Sequence, residues 1–210
     1  MSDSKVAGVA AILFALLFLA AMVAPGETPS GDDSDADFVK YYQDSGNQNA
    51  MLASVYFMTV ASLALVVLAT LGFRSGSTLA SIARASAYLA ATAFALGAVA
   101  IATVGVETLI NDTPVDPGVA RFLPSIGYGT ILIVGGLSAS AAIAAISGDW
   151  KRTGAMPSWL CWLGFVCAVV LLAGVMFLPM IALVVWALVA GVTLLTKSSA
   201  AAPLSPARPA

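Results

Sequence analysis

Six stretches of this chain are each apolar over about the length a helix needs to cross a bilayer. A hydrocarbon core ~30 Å thick takes ~20 helical residues at a rise of ~1.5 Å each. The stretches fall at about 6–24, 51–73, 85–110, 125–147, 160–178 and 179–196. They are continuously apolar, without the alternation that marks the strands of a membrane barrel. In lipid every backbone polar group must be satisfied internally, so the expected fold class is all-α. The expectation is a polytopic bundle of six transmembrane helices.

The last two stretches need a separate argument, because residues 160–196 form one apolar run of 37 residues. As a single helix it would measure ~55 Å, more than tilting absorbs. Pro179 has no amide hydrogen and disfavours helix at Leu178, so the run predicts a tight helical hairpin turning there. The first stretch follows Lys5 and could serve as a secretory leader. Met22 and Ala24 before Pro25 make a poor cleavage site, and an uncleaved first helix is expected.

Composition excludes several functions. The chain is 60% hydrophobic and 10% charged, and it contains no histidine. Without an imidazole there is no Ser-His-Asp triad and no His-ligated zinc or haem. A net charge of −2 offers nothing to a nucleic acid. The spans carry no paired carboxylates, so no enzyme activity and no cofactor are expected.

Charge also orients the chain. With the amino terminus inside, Lys5, Arg74, Arg84, Lys151, Arg152, Lys197 and Arg208 all fall inside, and only Lys40 and Arg121 outside. Cytoplasmic segments are enriched in Lys and Arg, so both termini are expected in the cytoplasm of a plasma-membrane protein. Trp150 and Trp159 flank the inner loop 148–158, where indoles suit the headgroup level. The tail 198–210, with Pro203, Pro206 and Pro209, reads as disordered.

The outer loop 25–50 holds Glu27, Asp32, Asp33, Asp35, Asp37 and Asp44 against Lys40, a net charge of −5. Phe38, Tyr41 and Tyr42 recur at helical spacing, with Asp35 placed to cap, which predicts a short surface helix. Its aromatics either rest in the lipid interface or plug the end of the bundle. Asp33, Asp35, Asp37 and Asp44 match positions 1, 3, 5 and 12 of a calcium loop. Phe38 stands where that loop needs glycine and Asp44 where it needs a bidentate Glu, so a solvated acidic loop is the better reading.

Within the predicted spans Glu107 is the lone ionisable acid or base, near the outer end of the third. An intramembrane carboxylate is a candidate ligand or proton site, here with Arg121 or Tyr128 as companions. At that depth it also reaches interfacial water, which is the plainer account. Tyr56 and Tyr88 are the other polar side chains available to line a cavity. Met22, Met51, Met176 and Met180 sit near outer span ends and read as gap-fillers, as do Cys161 and Cys167. Gly136, Ser140 and Ala144 repeat every four residues and form a helix-packing edge, for a helix of the same chain or of a second copy.

Two motifs carry a family resemblance. They are Asp37-Phe38-Val39-Lys40-Tyr41-Tyr42, after an acidic Pro-containing loop, and Arg152-Thr153-Gly154-Ala155-Met156-Pro157-Ser158-Trp159-Leu160-Cys161-Trp162-Leu163-Gly164. The chain resembles a group of uncharacterised actinobacterial six-helix integral membrane proteins over nearly its whole length. The resemblance implies a bacterial plasma membrane and transfers no activity to any residue. The expected function is that of a non-enzymatic accessory or scaffold component. Its partners would be the lipid bilayer and another membrane protein or a second copy. The alternative is a small-solute or lipid transporter using Glu107.

Overall fold

The local signals that end each helix explain the element order. In a computed structural model, which describes residues 2–173 and 178–200, those residues are helical apart from short turns and one acidic loop. Helix α1 is Asp3–Val23, α2 is Asp35–Gln43, α3 is Ser45–Gly72 and α4 is Thr78–Asn111. Then come α5 (Pro117–Gly129), a π-helical turn (Thr130–Gly135), α6 (Gly136–Thr153), α7 (Ser158–Leu172) and α8 (Met180–Ala200). Serine and aspartate side chains start the helices: Ser34, Asp44, Ser77 and Asp116 each accept a hydrogen bond from a first-turn amide. Gly154, at φ +65°, ends α6 in the left-handed conformation, and Pro157 stands just before α7.

Five helical stretches are long and apolar enough to cross a membrane, counting α5, the π turn and α6 as one run of 37 residues, Pro117–Thr153. The sixth apolar helix, α7, is shorter, at 15 residues. The 160–196 run is therefore broken, with α8 beginning directly after Pro179. Met176, one of the four methionines noted above, lies outside the described residues. Helix α8 continues through Ala200, three residues into the segment that composition assigns to a disordered tail.

Around the bundle the packing order is α3, α1, α8, α7, α6 and α4, closing back onto α3, with α5 and the π turn against α4. Contacts at one end define the direction of each helix. Arg74 pairs with Asp3, Ser77 donates to buried Asp149, and Lys197 donates to the Ala155 carbonyl. These join the start of α1 to the end of α3, the start of α4 to the end of α6, and the end of α8 to the α6–α7 turn. Helices α7 and α8 are therefore antiparallel, and this end of the bundle is its basic end. Helix α2 lies at the opposite end, the lid end.

Residue size sorts inside from outside. Along α4 the buried positions include Ala80, Ala83, Ala87, Ala90, Ala91, Ala98 and Ala102, while Ile82, Leu89, Leu96, Val99 and Ile110 are exposed. A water-soluble helix separates polar from apolar, whereas here both faces are apolar and the small residues face inward. Backbones then come close. A methyl group on Gly127 would lie 2.5 Å from the Gly97 carbonyl oxygen and 2.9 Å from the Ile101 amide nitrogen. Gly8 and Gly191 form a similar contact between α1 and α8. The aromatics Phe14, Phe18 and Phe94 fill the space between α1 and α4, with ring centroids 4.9–6.4 Å apart.

Trp150 departs from its expected place at the headgroup level. It is buried, stacks on Trp186 at 6.1 Å and meets the edge of Phe73, because α6 runs on to Thr153 and carries position 150 inward. Trp159 and Trp162 are exposed, and the Lys151 ammonium lies 4.1 Å over the Trp162 ring.

The glycine contacts generate a paired prediction. Gly127→Ala forces α4 and α5 apart and should cost about 1–3 kcal/mol, lowering the thermal midpoint in detergent. Gly129→Ala meets nothing within 4 Å and should leave that midpoint unchanged or raise it through helix propensity. Equal effects of the two changes would refute backbone proximity as the cause.

Candidate functional site

The most connected polar side chain at the lid end is Arg121, on the second turn of α5. Asp116 caps this helix and Pro117 occupies its first position, which points the following turn toward the acidic loop. Arg121 donates to the Gly31 carbonyl at 2.8 Å, the Asp33 carbonyl at 2.6 Å and the Asp35 carboxylate at 2.9 Å. Its guanidinium also lies 4.3 Å over the ring of Phe38. A planar fork of donors suits this work, because it grips several acceptors at once while its face stacks on an arene.

Beneath the tether, α2 plugs the bundle. Phe38 and Tyr42 are buried against Met51, Ala102, Val104 and Ala120 in a hydrophobic cluster separate from the main core. The half-buried Tyr41 donates from its hydroxyl to the Pro25 carbonyl at 2.7 Å. Gln48 and Asn47 of α3 donate to the carbonyls of Tyr42 and Tyr41. Of the two sequence expectations for these aromatics, the structure shows the plug.

The acids of this loop are committed to the fold. Ser34, not Asp35, is the residue that caps α2, because the serine hydroxyl and Asp37 form a reciprocal capping box. Asp33 accepts from the amide and hydroxyl of Ser30, Asp44 accepts from the Asn47 amide, and Asp35 pairs with Arg121. The four aspartates that mimic a calcium pattern thus each hold a different local element.

Glu107 stands apart from Arg121 and Tyr128. It is exposed and accepts from Asn111 at 3.0 Å and Thr113 at 3.4 Å, on a surface cavity of about 230 Å³. Arg121 and Tyr128 line a different cavity, of about 390 Å³, together with Ile101. Residue 107 follows Ile101 by six positions, which turns it ~120° around α4 and away from that space. Tyr56 is exposed, and Tyr88 pairs its hydroxyl with Thr70 at 3.0 Å. Neither lines this cavity.

The packing edge of α6 meets α7. The Ser140 hydroxyl donates to the Ala168 carbonyl at 2.7 Å, a methyl on Gly136 would touch Leu171, and Ala144 packs on the same core. Both cysteines are free and buried. The residue that sequence reasoning passed over is Asp149, 2% exposed, which accepts from Ser77 and from Arg152 at 3.3 Å. Its place in α6, which stays packed beyond Ala144 through Ser147 and Trp150, is what buries it. No family model, curated protein or solved structure matches the chain.

Two predictions follow from the tether and the cap. Arg121→Gln should free the loop, raising amide exchange of residues 28–36 about ten-fold while α4 and α6 stay protected. Unchanged exchange would show that Arg121 holds nothing. The second concerns pH. Ser34 donates to Asp37 from its hydroxyl and its amide, and these bonds hold the Asp37 carboxyl below its ordinary value of 3.8. A lowered folded pKa means that the cap stabilises α2 fully above pH ~3.8 and loses this as pH falls through the folded value. Exchange in α2 should therefore rise on acidification below that point, and Asp37→Asn should remove that dependence.

Proposed function

We propose that this chain is an integral membrane protein of the plasma membrane that crosses the bilayer six times, with both termini cytoplasmic. In this reading it acts as a non-enzymatic accessory or scaffold component that packs against another membrane protein. The seven-to-two distribution of basic side chains supports the orientation, since the six inner ones among the described residues belong to the basic end. The antiparallel packing of α7 and α8 supports a sixth crossing, although the 15 residues of α7 rise only ~22 Å. The likeness to actinobacterial six-helix proteins is part of the same proposal.

The observation that carries the accessory reading is the filled interior. Among the described residues, two voids inside the helix ring measure about 30 and 10 Å³, each too small for a solute path. The transporter alternative draws on the 230 Å³ cavity beside Glu107, which lies at the surface, over the turn between α4 and α5.

Two measurements test this. Solubilisation in mild detergent, with the chain tagged and expressed at its native level, should recover a second membrane protein in stoichiometric amount. Recovery of the chain alone, even after cross-linking in the membrane, argues against the accessory role. Ser30→Cys should react with an impermeant maleimide on intact cells, because native Cys161 and Cys167 are buried. Labelling only after lysis would reverse the orientation.

A further inference from the structure

The 390 Å³ cavity under the acidic loop has the size and the lining of a small-molecule site. Its walls set Phe38, Ile101, Pro124 and the rings of Tyr42 and Tyr128 beside the polar Thr28, Ser30, Arg121 and Ser125. Two phenolic hydroxyls are left over. Tyr42 is 2% exposed and Tyr128 half-buried, and neither hydroxyl has a protein hydrogen-bond partner among the described residues. Neither oxygen is sealed off and neither is taken by the protein, so both are free donors on one cavity, open to a ligand that accepts hydrogen bonds.

The charges at the site decide which acceptor. Among the described residues no carboxylate lines the cavity, and the one cation on it, Arg121, is already neutralised by Asp35 at 2.9 Å. The surrounding loop carries a net charge of −5, which repels an anionic ligand. Burial pushes the Tyr42 phenol above its ordinary pKa of 10.0, so this group stays a neutral donor at physiological pH. Aromatic side chains favour a flat ring between them over a branched glycerol ester. Tyr128 and Ile101 also border the 30 Å³ void among Met22, Met58 and Leu132, an apolar space continuous with the bundle.

We propose that this cavity binds a neutral, lipid-soluble ring compound of the quinone class, with the Tyr42 and Tyr128 hydroxyls donating to its carbonyl oxygens. The site binds and does not by itself transfer electrons. This goes beyond the accessory role and stands or falls separately from it, because the test needs only the purified chain.

The experiment is equilibrium dialysis of menadione against the full-length protein in nanodiscs of zwitterionic lipid, with empty nanodiscs as reference. Saturable one-site binding is expected, and Tyr42→Phe and Tyr128→Phe should each weaken it about five- to ten-fold. Each change removes a hydroxyl without a protein partner, so the thermal midpoint in the absence of menadione should hold or rise. Palmitate, which offers a carboxylate instead of a ring carbonyl, should not compete. The proposal is overturned by absence of saturable menadione binding to the unchanged protein. It is equally overturned by undiminished affinity in the double phenylalanine variant, by displacement with palmitate, or by a midpoint that falls in both single variants.

Discussion

The packing of this bundle depends on how closely helix backbones approach when no polarity gradient drives them together. Lipid tails are as apolar as leucine, so burying a leucine inside gains little over leaving it at the surface. What distinguishes inside from outside is the density of van der Waals contact. Alanine and glycine on the inner faces of α1, α4 and α8 let whole backbones meet, as at Gly97 with Gly127 and at Gly8 with Gly191. The larger aliphatic residues turn outward. The same economy of volume explains the filled interior and the two polar atoms stranded near Gly164. The Ser147 hydroxyl and the Trp186 indole nitrogen are buried without a partner among the described residues, where α6, α7 and α8 crowd together.

Chain length and hydropathy made the helical class and the apolar stretches legible, because a spanning helix is a continuous property of ~20 neighbours. Pro179 was legible for a similar reason, since its missing amide acts on adjacent residues, and α8 begins at Met180. What hydropathy could not reveal was which apolar residue faces which neighbour. Trp150 looked like an interfacial anchor, since its sequence neighbours are charged, yet the helix carries it against Trp186 and Phe73. Asp149 looked like a loop acid for the same reason. Its burial depends on Ser77, 72 residues earlier, and no local window contains that pair.

The contrast between Glu107 and Arg121 shows how depth in a span can mislead. A carboxylate within an apolar stretch is the most conspicuous group in the sequence, but Glu107 finds acceptable partners within six residues, in Asn111 and Thr113. A side chain satisfied so locally has little need of the rest of the fold. Arg121 sits in an unremarkable loop-to-helix stretch and reaches backbone carbonyls 88 and 90 residues away. Carbonyl acceptors carry no residue identity, so this tether leaves no trace in the acid–base pattern. The signal that was available lay in the aromatics of α2, whose spacing demanded something to pack against and whose helix must then be held down.

Counting the loop charge also points in the wrong direction about what the lid end can bind. Six acids against one lysine suggest a cation trap, but a carboxylate engaged by an amide, a hydroxyl or a guanidinium already has the donors that a metal ion would have to replace. Asp33, Asp35, Asp37 and Asp44 are all engaged in this way. Their charge still shapes the field beyond the surface, where it opposes anions. Underneath, Asp35 cancels Arg121, and the rest of the cavity wall is neutral: phenols, hydrocarbon and the residues Thr28, Ser30 and Ser125. The acidic exterior and the neutral, donor-lined interior are therefore two consequences of one arrangement. The loop must be tied down by its acids for α2 to stay seated, and a seated α2 is what brings Tyr42 to the side of Tyr128.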